Sequence, residues 1–127
     1  MLFIINCKAL WGYPWLSEVV PRLHDTEHIV AVCGDLRSLD SGEINSAQTV
    51  FRAKDYEICA DDDTYSNCHM MRLLMSRHEK TPDETMVVSD IPRDRAAADL
   101  LGCECVPPGV FDVICARFLP GYRPRMS

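Results

Sequence analysis

The chain has 127 residues, 47% hydrophobic and 25% charged, with a formal net charge of −6. One domain with its own core fits that length, and no apolar run approaches the ~20 residues that a membrane-spanning helix needs. The acidic balance excludes a body-wide basic stripe of the kind that nucleic-acid binders carry.

Met1-Leu2-Phe3-Ile4-Ile5 has no basic flank and is too short for a signal peptide. It reads as a buried first strand, Leu2–Cys7, and a cytoplasmic protein is the expectation. The seven cysteines are odd in number and mostly sit inside apolar segments, so they read as small buried hydrophobes in a reducing compartment. Cys103-x-Cys105 is the closest pair, which is not a zinc-ligand spacing.

Leu16, Val19, Val20 and Leu23 fall at i, i+3, i+4, i+7 and predict a helix over Pro14–Leu23, with Pro21 a point of kinking or termination. His28–Cys33 is the second strand, closed by Gly34-Asp35. Asp40–Glu43 reads as a turn, and Thr49–Ala53 and Tyr56–Ala60 as short strands. After the polar loop Asp61–Asn67 comes a helix from His69 to about His78, then strand Thr85–Ser89. A last helix over Asp94–Leu101 is released by Gly102 into strand Glu104–Val106. Strands alternating with helices predict an α/β fold: a Rossmann-like three-layer sandwich around a mostly parallel sheet. Right-handed crossovers then bring the loops after the strands to one edge. Four converge there: Asn6-Cys7-Lys8, Cys33-Gly34-Asp35, Asp61–Asn67 and Ser89–Asp94.

Residues 1–116 form one domain in this reading, and 117–127 a basic C-terminal tail. That tail holds Arg117, Arg123 and Arg125 and no acid. It reads either as a frayed, solvated end or as a contact for phosphate, nucleic acid or a partner.

Val87-Val88-Ser89-Asp90-Ile91-Pro92-Arg93-Asp94, with the alanine-rich helix, Gly102-Cys103-Glu104-Cys105 and Pro107-Pro108-Gly109-Val110-Phe111 after it, resembles the last motif of the haloacid dehalogenase (HAD) superfamily of phosphohydrolases and its sequel. Ile29–Arg37 is similar to that family's second motif. The nearest relative suggested is the 3′-phosphatase domain of polynucleotide kinase, phage forms included. The resemblance implies a HAD-like sandwich, here too short for a cap domain. It also implies an Asp nucleophile after strand one, an acid/base Asp two residues on, a Ser or Thr on strand two, a lysine and Mg²⁺-binding acids. Position by position, this chain offers Asn6, Lys8 and Cys33 for the first three. It has no lysine between Asp61 and His69, and keeps only Asp90 and Asp94 as metal-binding acids.

A carboxamide is not a nucleophile comparable to a carboxylate, so the catalytic positions Asn6, Lys8 and Cys33 read as degenerate. Lys8 paired with Asp90 would take the place of a metal, gaining roughly 4 kcal/mol at ~4 Å and an effective dielectric of ~20. Asp90 and Asp94 have a purely structural reading too, as a turn residue and a helix N-cap. Cys33 is a strand cysteine or, at a strand end, a thiol nucleophile. Trp11 and Trp15 either anchor the first helix or offer aromatic surface for stacking.

The sequence therefore predicts a binding protein with a degenerate site. Its ligand is a phosphorylated small molecule or nucleotide, or a protein partner, met by Lys8, Trp11, Trp15, Cys33 and Gly34. No cofactor is expected unless the site is active, when Mg²⁺ on Asp90 and Asp94 is implied. The alternatives are a Mg²⁺-dependent phosphohydrolase with a rearranged site and a small phage-type protein inhibitor. No membrane role is expected.

Overall fold

The computed structural model describes residues 1–35, 42, 55–59 and 64–125. The expected strand Thr49–Ala53, most of the turn Asp40–Glu43 and the Asp61–Asp63 run lie outside the described residues. The described strands, β1 (Leu2–Asn6), β2 (Ile29–Asp35), β3 (Asp55–Cys59), β4 (Thr85–Val88) and β5 (Glu104–Val106), form one sheet in the order β3-β2-β1-β4-β5. Every neighbouring pair is parallel. The described helices are α1 (Cys7–Gly12), α2 (Leu16–Asp25), α3 (Thr64–Arg77), α4 (Pro92–Leu101) and α5 (Pro108–Phe118).

The period-two alternation of the strands builds the three expected layers. Phe3, Ile5, Val30, Val32 and Val88 face α1, α2 and α5, where Leu10, Val19, Val20, Leu23 and Phe111 complete one apolar cluster. Leu2, Ile4, Ala31, Cys33 and Val87 face α3 and α4, packing on Met71, Leu74, Ala97 and Ala98. With β1 central and fully buried, its unbroken apolar run Leu2–Ile5 is what a parallel strand covered on both faces requires. Among the described residues no helix is long and apolar enough to cross a membrane.

Three elements depart from expectation. The first helical region is two helices: Asn6 caps α1 by accepting the Lys8 N–H at 2.9 Å, and α2 starts only at Leu16. Pro21 does not end α2, because Leu16, Val19, Val20 and Leu23 bury that helix's whole inner face. Helix α3 begins at Thr64, so Asn67 is a helical residue rather than part of a loop.

The third departure is α5, which no sequence signal anticipated. Pro108 stands in its first turn, where a missing N–H costs nothing. Arg117 therefore belongs to a helix, and the described residues beyond it, 118–125, are docked rather than frayed. Leu119 is buried, and Tyr122 packs against the first cluster. Asp112, fully buried on α5, accepts the Tyr122 hydroxyl and, at 2.7 Å, the Arg125 N–H. Arg125 pairs with Glu18 on α2, and the Arg22 guanidinium lies 5.5 Å from the Tyr122 ring centre.

Gly102 ends α4 in the left-handed region, at φ 80°, with its N–H on the Asp99 carbonyl. A Cβ there would meet only the Pro82 side chain at 3.9 Å, an ordinary contact. Gly102→Ala is therefore expected to lower stability by about 1 kcal/mol through backbone strain alone, read as a lower urea midpoint with an unchanged m-value.

Candidate functional site at the carboxyl edge of the sheet

The register fixes the edge. Asn6 is level with Cys33 across β2, and Ile5 with Val88 across β4, so Ser89 comes level with Asn6 on the other side. Ser89 accepts the Ile91 N–H at 3.0 Å, folding the loop after β4 back on itself. That turn delivers Asp94, in the first turn of α4, to the end of β1. From the neighbouring helix in the same layer, the start of α3 supplies Asn67.

These four side chains close on one another. Asp94, 2% exposed, accepts hydrogen bonds from Asn6 Nδ2 at 2.8 Å and Ser89 Oγ at 2.7 Å on one oxygen, and from Asn67 Nδ2 at 2.7 Å on the other. Asn6, Asn67 and Ser89 are themselves buried. Burial lifts the Asp94 pKa above the ordinary carboxylate value; the bonds from Ser89 and Asn6, the Arg93 charge and the Asn67 bond oppose that lift without cancelling it.

Several expected arrangements are revised. Asp94 does not cap α4: Ile91 is the N-cap, and Asp94 stands three residues further on. Lys8 and Asp90 are both exposed, and among the described residues no ion pair joins them. The reason is solvation, since an ammonium at the start of α1 stays hydrated more cheaply than it could be buried. Cys33 and Gly34 are strand residues rather than loop residues, because β2 continues to Asp35. The Cys33 side chain lies in the second apolar cluster.

Trp11 is 44% exposed, whereas Trp15 packs against the first cluster with its ring 6.4 Å from Tyr13. Trp15 is thus an anchor for α2, and Trp11 surface. The edge also holds a cavity of about 220 Å³ lined by Ser89, Asp90, Ile91, Pro92, Arg95 and Pro107. Asn67 and Ser89 escaped sequence reading. Asn67 occupies the stretch where the resemblance places a lysine, and Ser89 directly precedes the Asp90-x-x-x-Asp94 pair. Those positions were the available signal.

Magnesium, which the resemblance implies, does not fit this donor set. Both Asp94 oxygens already accept N–H or O–H bonds, and the group from β1 that faces Asp94 is an amide NH₂ rather than an oxygen. Among the described residues no cluster of three His, Cys, Asp or Glu side chains could hold a metal ion.

The sheet order, the helices on both faces and the acidic loop after β4 define a HAD-like α/β fold. Two solved phosphatases share it. D,D-heptose 1,7-bisphosphate phosphatase from B. bronchiseptica, complexed with magnesium and phosphate, is 16% identical over 96% of this chain and 90% of its own, with a TM-score of 0.62. The D,D-heptose 1,7-bisphosphate phosphatase from Burkholderia thailandensis is 20% identical over 80% of this chain and 74% of its own, with a TM-score of 0.56. At such identities the likeness establishes the fold. No protein-family model and no curated protein matches the sequence.

Proposed function

We propose that this chain is a HAD-like domain that binds a phosphorylated, nucleotide-like ligand at the carboxyl edge of its sheet and does not hydrolyse it. One observation carries the reading: at the end of β1, both polar atoms of Asn6 are committed, Oδ1 to the Lys8 N–H and Nδ2 to Asp94. Phosphoryl transfer to the enzyme needs an anionic nucleophile there, and this carboxamide carries no charge.

The ligand class follows from what remains exposed. Lys8 and Trp11 are three residues apart on α1, hence on one helical face. A cation beside an aromatic ring suits a phosphate carried on a flat, stackable group. The nucleotide-like end of that range follows the resemblance to the 3′-phosphatase domain of polynucleotide kinase.

The test pairs two measurements on the full chain. A rise in melting temperature with nucleoside monophosphates, lost in Lys8→Ala and reduced in Trp11→Ala, is expected. No phosphate release from p-nitrophenyl phosphate is expected, with or without Mg²⁺. Mg²⁺-dependent release abolished by Asp90→Ala would replace this reading with the phosphohydrolase suggested by the solved neighbours.

A further inference from the structure

Asp94 is a buried carboxylate whose three hydrogen-bonding side-chain partners, Asn6, Asn67 and Ser89, are all uncharged. The orientation of the Asn6 amide follows from its neighbours. The Lys8 N–H can only donate, so it faces Oδ1, and this leaves Nδ2 as the donor to Asp94. The donors reach Asp94 from three separate elements: the end of β1, the first turn of α3 and the loop after β4. A cation approaching Asp94 from the β1 side would meet amide hydrogens.

We infer that these three neutral donors take the structural place of a divalent cation, so that the carboxyl edge closes with no metal, and that the amide hydrogens which Asn6 and Asn67 turn toward Asp94 bar a divalent-cation site there. This rests on the reading of the site as non-hydrolytic and deepens it. Aspartate at position 6 would keep the cap of α1, because a carboxylate also accepts the Lys8 N–H. It would lose the donor to Asp94 and set a second acceptor in its place. Two carboxylates so close cannot both stay ionised without a counter-charge between them.

The experiment is thermal unfolding of the full chain in EDTA and in increasing MgCl₂ or MnCl₂, for the wild type, Asn6→Asp and the double variant Asn6→Asp/Asp94→Asn. The wild-type melting temperature is expected to agree in EDTA and in either cation to within about 1 °C. Asn6→Asp is expected to melt about 4 °C or more lower in EDTA and to recover as cation is added; the double variant does not recover. A Mg²⁺-dependent rise in the wild type that Asp94→Asn removes overturns the inference, and so does an Asn6→Asp protein indifferent to cations. If Asn6→Asp does not fold in either solution, Asn67→Asp is judged by the same criteria, and the wild-type result stands by itself. Nucleotide binding plays no part in this readout, so a failure of the ligand reading and a failure of this inference are told apart.

Discussion

Asp94→Ala is expected to destabilise the protein by at least about 3 kcal/mol. The carboxylate it removes is the shared acceptor for Asn6 Nδ2, Asn67 Nδ2 and Ser89 Oγ, all from buried residues. Each donor stranded without water or a partner costs roughly 1–3 kcal/mol, and that sum is a large share of the whole stability of a domain this size. Urea unfolding measures it; a loss below about 1 kcal/mol would mean that solvent reaches the cluster.

The conservative change Asp94→Asn tests the charge. Burial raises the folded pKa of Asp94, so the native state holds this proton more tightly than the unfolded chain does. Its contribution to stability is therefore fully present below the unfolded carboxylate pKa of ~3.9 and is lost as pH climbs through the raised folded value. Asparagine does not titrate. The stability of the wild type minus that of Asp94→Asn is expected to fall with rising pH across that window, in urea midpoints taken from acid to neutral pH. A difference that grows with pH would place the folded pKa below the ordinary value.

The second large effect is expected at the other end of the chain. Asp112→Ala removes the fully buried acceptor of the Tyr122 hydroxyl and the Arg125 N–H, and a loss of about 3 kcal/mol follows from the same arithmetic. Here the readout includes protection. Trypsin cleavage after Arg117 and Arg125, both exposed, is expected to quicken many-fold in the variant as the terminal segment leaves α2 and α5. Tyr122→Phe, which loses one bond and keeps the ring under Arg22, is expected to show a milder form of both effects. Unchanged proteolysis in Asp112→Ala would mean that apolar packing of Leu119 and Tyr122 alone holds the segment.

Much of this architecture can be read from side-chain periodicity. The apolar run of β1, the β-branched β2 and the i, i+3, i+4 pattern of α2 each depend on burial against a sheet, and burial is what the pattern encodes. Helix α1 could not be read that way, because six residues give no period; it exists through the Asn6 cap and the burial of Cys7, Ala9 and Leu10. Helix α5 was hidden behind Pro107-Pro108-Gly109, residues that more often mark a loop, although Pro108 serves as a helix start. At the site, the sequence singles out Asn6 and Asp94 through strand ends and motif spacing. It assigns the partner incorrectly because pairing Lys8 with Asp90 weighs formal charge alone. Register and desolvation decide instead, and they bring neutral groups to the acid and leave the charged ones in water.

The Asn6 side chain gives this protein a chemical clock. Asparagine amides hydrolyse slowly, and heat speeds the loss of ammonia; at position 6 that change turns the donor facing Asp94 into a rival acid. Inside the folded edge the amide is shielded by its own bonds to Lys8 and Asp94. Unfolding exposes it, so conversion of Asn6 to an acid is expected to accumulate with time spent in the open chain, read as a gain of about one mass unit at that residue.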